Sequence, residues 1–401
     1  MNASARWLST ALLIAALLIL GGVGYFNSKK RVVPIVFSQK AMLGELWHTY
    51  TQEYLEPGSS RTLDKQSNNI TTSEGQSYTM LRAVWQDDKP TFDVSWKWTK
   101  DNLKRPTDSL PSWLFGKRPD GVYGIKTEQG GQNTASDGDT DIALSLAFAA
   151  NRWNQGEYLS GAKAMISDIW NQDVVIVAGK PVLTADNLEQ YSADSVVVNP
   201  SYFAPYAYRV FAKLDPAHDW NGLTANMYAV VDAASNTALN APRSANIPPD
   251  WVRVDRKTGA VIPPVAQGQT TNYSYDAMRL PFRLALDYQW NNSQESKQLL
   301  SHFAFFSGQW TASGKLVDKY AHDGQALSSN ESPAVYGGSL GYFLVSDPQL
   351  ADQVYTQKLR TLYDPNTQAW TSKLGYYEDN WAWFGLALYH HELPDLTLQH
   401  G

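Results

Sequence analysis

The chain has 401 residues, 43% of them hydrophobic and 18% charged, which excludes a disordered polymer. A net charge of -6 offers no basic face to nucleic acid, and the absence of cysteine excludes disulfides, thiolate metal sites and a thiol nucleophile. Aromatic residues make up 12% of the chain, many in polar company, as in Trp96-Lys97-Trp98, Tyr376-Tyr377-Glu378 and Trp381-Ala382-Trp383. Flat rings beside amides and carboxylates suit the C–H faces and hydroxyls of sugars, although most of these rings are expected to fill the core.

Residues 7–26, WLSTALLIAALLILGGVGYF, form an uncharged run of 20 residues, the length of a membrane-spanning helix. Gly22-Val23-Gly24 is a poor signal-cleavage site, so segment 1–32 is read as a membrane anchor, with a cleaved signal as the alternative. Lys29, Lys30 and Arg31 follow the run and, by the positive-inside rule, favour a cytoplasmic body. Residues 33–401 then form one domain without an internal linker.

Helical spacing predicts a lead-in helix within 33–69, carried by Met42, Leu43, Leu46, Trp47, Tyr50 and Tyr54. Further helices are predicted over 74–86, 91–104, 139–153, 157–171, 204–214, 219–237, 275–290, 296–311, 332–346, 349–363 and 379–391. Ser73 and Gln76 suggest a capping box at the second of these. Two hairpins are expected, 174–183 turning at Gly179-Lys180 and 251–262 turning near Thr258-Gly259. No stretch alternates strand and helix, which disfavours a doubly wound sheet and leaves an all-α fold of about a dozen helices with short hairpins.

Three acidic motifs stand out. Thr72-Ser73-Glu74-Gly75-Gln76-Ser77-Tyr78 puts an acid in the first turn of a helix, where it would also complement the helix dipole. Ala135-Ser136-Asp137-Gly138-Asp139-Thr140-Asp141 has acids at alternate positions; an EF-hand fails because Ile142 and Phe148 stand where that loop needs Gly and Glu. Tyr273-Ser274-Tyr275-Asp276-Ala277-Met278-Arg279 places an Arg three residues after an acid, the spacing of a simple ion pair. Read singly, none of the three requires catalysis. The histidines show no ligand spacing, and the adjacent His390-His391 is read as solvated.

Together the motifs resemble a known family. Residues 135–153, ASDGDTDIALSLAFAANRW, are similar to the diagnostic stretch of glycoside hydrolase family 8. The Ser-Glu-Gly-Gln-Ser-Tyr element at 73–78, Asn-Pro-Ser-Tyr-Phe-Ala-Pro at 199–205 and Tyr-Asp-Ala-x-Arg at 275–279 accompany it in the family's order. The resemblance extends from about Glu45 to the C-terminus.

It implies an (α/α)6 barrel and hydrolysis of internal β-1,4 links of cellulose or a related β-glucan with inversion. Glu74 would be the general acid and Asp276 the base, Asp137 holding the sugar or, in a retaining scheme, attacking it. Trp113, Tyr202, Tyr275 and Arg279 are candidate substrate-binding residues, with Gln76 and Ser136 as donors that fix the acids. No metal or cofactor is called for. Another β-glycan (chitosan, mixed-linkage glucan, xylan or an exopolysaccharide) and a non-catalytic glycan-binding subunit of a polysaccharide export machine remain as alternatives. Such substrates favour an extracytoplasmic body, periplasmic or at the cell surface, against the charges that flank the anchor.

Overall fold

Residues 38–398 are described in the computed structural model, so the anchor predicted over 1–32 lies outside the described residues. Among the described residues no helix is long and apolar enough to cross a membrane. The chain divides into residues 1–41 and a unit of residues 42–401, and the fold that follows is that of the second unit.

The described chain is mostly helical, as its 3.6-residue periodicity demands. Six helices are linked in a ring, each packed on the next: α2 (Ser73–Trp85), α4 (Ser136–Arg152), α6 (Pro205–Leu214), α8 (Arg279–Asn291), α11 (Pro333–Ser346) and α13 (Tyr376–Tyr389). Arg82 of α2 closes the ring by donating to Asp379 of α13 at 2.9 Å. Buried guanidinium and carboxylate tolerate this place because each is paired, and the Arg82 plane also stacks over Tyr50 at 4.2 Å. Five further helices back the ring: α3 (Lys89–Asn102) on α2, α5 (Gly156–Asp173) on α4, α7 (Trp220–Asn236) on α6, α9 (Gln294–His302) on α8 and α12 (Pro348–Val354) on α11. The sixth, α1 (Gln39–Tyr54), reaches α13, whose Trp383 indole donates to the Leu43 carbonyl at 3.0 Å. A short α10 (Phe305–Ser313) packs beside α11.

The two layers differ in sequence as they differ in burial. Every side chain of α4 from Ser136 to Ala149 is buried, whereas α5 buries a stripe of Tyr158, Ala162, Met165, Ile166 and Ile169. Helix α11 packs through small residues. A Cβ on Gly337 would stand 1.9 Å from the Trp381 carbonyl oxygen, and one on Gly341 2.2 Å from that of Pro281. Glycine here lets the backbone of α11 lie directly against α8 and α13.

Four small antiparallel sheets decorate the helix ends. They are β1 (Thr71–Thr72), β2 (Leu114–Lys117) and β3 (Tyr123–Ile125); β4 (Val174–Val177) with β5 (Lys180–Leu183); β6 (Ser195–Val198), β7 (Val252–Asp255) and β8 (Val261–Ile262); and β9 (Tyr363–Asp364) with β10 (Ala369–Trp370). Both predicted hairpins are present. The first turns at Ala178-Gly179, one residue before the expected position, with φ of 48° and 81°, because Val177 pairs with Lys180. The second forms part of a three-stranded sheet in which Val196 pairs with Val254 across the chain, a contact that short local patterns do not signal.

Several predicted boundaries move. Within the described part of the predicted lead-in, residues 38–69, the helix occupies Gln39–Tyr54 and residues 33–37 lie outside the described residues. The stretch 296–311 divides into α9 and α10, and 349–363 leaves the α conformation after Val354. Helix α8 starts at Arg279, so Asp276 stands in the turn before it. His390 is half-buried with a ring nitrogen 3.0 Å from the Tyr355 hydroxyl, which corrects the expectation of a solvated pair.

Candidate active site

The site is built from the first turns of ring helices. At α2 the cap is Thr72, whose hydroxyl accepts from the Gly75 amide at 2.9 Å. The predicted capping box is therefore not formed. Ser73 is already helical, and its amide donates to the Trp113 carbonyl at 3.0 Å, tying α2 to the start of β2. Gln76 looks away from the acids: its carbonyl accepts from the Thr62 amide at 2.7 Å and its amide donates to Thr99 at 2.9 Å. It anchors α2 to α3 and touches none of the three carboxyls.

At α4, Ser136 performs a similar service. Its hydroxyl donates to the Thr184 carbonyl at 2.6 Å and its amide to the Ala185 carbonyl at 3.1 Å, so it pins the helix start and touches no acid either. Next to it Asp137 accepts from the Gly138 amide at 2.8 Å. A Cβ on Gly138 would meet the Ser73 hydroxyl at 2.7 Å and the Glu74 amide nitrogen at 2.9 Å. The missing side chain thus permits two helix starts to touch, which brings Asp137 beside Glu74.

Arg279, at the start of α8, gathers the acids. One terminal nitrogen, Nη1, donates to Glu74 at 2.7 Å and to Asp137 at 2.9 Å; the other, Nη2, donates to Asp276 at 2.6 Å. Its Nε donates to Ser201 at 3.1 Å, and the guanidinium stacks over Tyr202 at 5.0 Å. The side chain is 1% exposed. That burial corrects its assignment to substrate binding: Arg279 lies beneath the site with its donors already committed.

The three carboxyls differ in their access to solvent. The Glu74 and Asp276 side chains are 21% and 33% exposed, against 4% for Asp137. Burial pushes Glu74 up to about 7; the Arg279 charge opposes this, and Asp137 and Asp276 reinforce it. The Tyr376 hydroxyl donates to Glu74 at 3.1 Å. Asp276 is also raised, chiefly by burial, against the pull of Arg279. The Trp251 indole donates to its second oxygen at 3.1 Å. One carboxyl that stays protonated near neutrality and a second held by two donors can serve as an acid and a base.

The predicted sugar contacts are distributed around this centre. Tyr202 is half-buried against Trp251, with ring centroids 5.7 Å apart. Tyr275 is 40% exposed, and its hydroxyl donates to Asp318 at 3.4 Å. Trp113 is half-buried with its indole donating to the Gly130 carbonyl at 2.9 Å. Trp251, Tyr376, Tyr377, Ser201 and Asp250 belong to the same neighbourhood and were not singled out as site residues. Ser201 lay inside the Asn199-to-Pro205 element and Tyr376-Tyr377 among the aromatics in polar company, but Asp250 carries no pattern of its own. Among the described residues no cluster of three or more His, Cys, Asp or Glu side chains could hold a metal ion.

Comparison with known proteins places the chain among relatives of one kind. Endoglucanase A of Acetivibrio thermocellus is 30% identical over 277 residues, 68% of this chain and 53% of the relative. The endoglucanase of Cellulomonas uda is 29% identical over 255 residues, 63% of this chain and 65% of the relative. The chain thus spans between half and two thirds of the length of these curated relatives. Among solved structures, the apo β-1,3-1,4-glucanase from Paenibacillus sp. X4 superposes with a TM-score of 0.70 at 22% identity, covering 88% of this chain and 93% of that one, which shows a shared fold. The family model of glycosyl hydrolases family 8 matches residues 27–381. That match extends over most of the chain, within which three acids are drawn onto one arginine, and this chain belongs to glycosyl hydrolases family 8.

Proposed function

We propose that this protein is an endo-β-1,4-glucanase that cleaves cellulose or a related β-glucan with inversion at the anomeric carbon, on a ring of helices that forms an (α/α)6 barrel. The observation that carries the proposal is the sharing of Arg279 by three carboxyls of which only Glu74 and Asp276 open to solvent. Glu74, raised to about 7, protonates the departing glycosidic oxygen. Asp276, hydrogen-bonded by Arg279 and Trp251, takes the proton from the attacking water. Glu74 and Asp276 bond different terminal nitrogens of Arg279, Nη1 and Nη2, and the inverting scheme calls for a water between base and sugar. Asp137, 4% exposed with both oxygens already accepting, is poorly placed to attack the anomeric carbon, and its remaining surface is left to hold the sugar. Tyr275, Tyr202 and Trp113 offer aromatic faces for neighbouring glucosyl units.

A panel of carboxymethylcellulose, lichenan, chitosan and xylan tests the substrate class. Carboxymethylcellulose is expected to be cleaved fastest, and Glu74→Gln to abolish the activity. Proton NMR of the first product should show the α-anomer; a retained β-anomer would reassign Asp137 as nucleophile. For residues 1–32 we propose an anchor that keeps the domain on the extracytoplasmic side, where a β-glucan, or a machine that exports one, would be met. Protection of the full-length chain from protease added to spheroplasts, whose outer envelope is removed, would refute that side.

A further inference from the structure

Asp250 is not among the acids that the motifs select, yet it lies directly behind the base. It is 4% exposed and stands at the end of the loop before β7. One carboxyl oxygen accepts from two amides, Ser274 at 3.0 Å and Ala277 at 2.8 Å; the other accepts from the Ser274 hydroxyl at 2.5 Å. These donors bracket Tyr275 and Asp276, so the carboxyl clamps both ends of the turn that bears the base. The next residue, Trp251, donates its indole N–H to the second oxygen of Asp276. The amides of Asp250 and Trp251 donate to the Asn272 carbonyl at 2.6 Å and the Thr270 carbonyl at 3.0 Å, which fixes this pair to the strand of chain leading into the turn.

Such a clamp has an electrostatic disadvantage. Burial and the nearby Asp276 charge push Asp250 up to about 7, against the three donors. A neutral amide, or a serine helix cap, would hold a turn without placing a second carboxyl behind the base. The carboxyl takes both amides on one oxygen and the hydroxyl on the other; an asparagine would keep the first contact and meet the hydroxyl through its amide nitrogen.

We infer that Asp250 is a positioning residue for the base: it holds the Ser274–Ala277 turn so that the Asp276 carboxyl meets the attacking water. This rests on the assignment of Asp276 as base. Asp250 touches neither sugar nor water in this scheme, so its removal acts on the water-attack step and leaves substrate binding and leaving-group protonation in place.

The test uses the full enzyme on β-cellobiosyl fluoride, whose leaving group needs little acid assistance, with and without azide. Azide has no proton to lose, so its attack needs no base; the C–N bond forms as fluoride leaves with the C–F electron pair, giving the α-cellobiosyl azide. Asp250→Ala is expected to lower kcat roughly 50-fold with KM changed less than about threefold, and azide should restore most of the loss. Asp250→Asn keeps an acceptor for both amides and a partner for the Ser274 hydroxyl, and should retain kcat within about fivefold. Wild type should gain less than about twofold from azide. If Asp250→Ala does not fold, as judged by circular dichroism, Asp250→Ser is expected to give the same pattern. An unchanged kcat, or a loss that azide does not repair in folded protein, would overturn the inference. Asp276→Asn separates the two levels: full activity there removes the base assignment itself, whereas an inactive Asp276→Asn beside an unaffected Asp250→Ala removes only the role of Asp250.

Discussion

Glu74 shows how much of the role proposed for it comes from surroundings rather than from the residue. In the first turn of a helix a glutamate normally has its charge favoured by the dipole. Here burial and two neighbouring carboxyls outweigh both that effect and Arg279, and the group reaches about 7. The alkaline limb of kcat/KM should therefore fall near pH 7, where Glu74 loses its proton. Glu74→Gln should lower kcat about 10²–10⁴-fold on a polysaccharide and much less on an activated aryl glycoside. A pH–rate profile flat to pH 9 would contradict this assignment. Arg279 makes the second argument at this scale. A lysine is a point donor and cannot span Glu74 and Asp276 with separate nitrogens. Arg279→Lys is expected to reduce kcat roughly 100-fold while the fold survives, measured beside its circular dichroism spectrum. Gln76 and Ser136 mark the limit of residue-level inference: Ser136 adjoins Asp137 and Gln76 stands two residues after Glu74, and both point into helix packing because side chains one or two residues apart leave a helix in different directions.

The helices meet where side chains are smallest. Gly138 lets α4 touch the start of α2, and Gly337, Gly338 and Gly341 let α11 lie against its neighbours. The spacing of the catalytic groups is thus set by contacts between backbones. Gly341→Ala would drive a methyl group into the Pro281 carbonyl and is expected to cost about 1–3 kcal/mol, read as a lower thermal midpoint. Because Pro281 belongs to the helix that carries Arg279, kcat should fall with it; a stable, fully active variant would show that α8 is not held this way. At the same scale the capping box was misread. Ser73 and Gln76 have the required spacing, but the preceding Thr72 caps first, and Gln76 is drawn to Thr62, Ser95 and Thr99.

For the molecule as a whole, folding buries acids beyond the three that meet Arg279. Asp139 and Asp173 are fully buried; among the described residues neither Asp139 oxygen has a hydrogen-bond partner, and Asp173 is raised from 3.8 to about 8, chiefly by burial. A raised folded-state pKa gives stability that is complete below 3.8 and is lost as the pH rises through about 8. Asp173→Asn removes that loss, so its thermal midpoint relative to wild type should rise between pH 5 and pH 8. A constant difference would mean that Asp173 is already ionised at pH 5. Periodicity alone identified nearly every helix, because each must bury one face or all faces and its residues record which. The four motifs point to the family because they recur together and in its order along the chain. Their neighbours were decided by tertiary structure. The division of 296–311 into two helices, the pairing of β6 with β7 and the burial of Arg279 all arise between segments distant in the chain, where the energy depends on what lies opposite. Asp250 is the plainest case, an acid in a Pro-Pro-Asp-Trp loop whose partners lie more than 20 residues away.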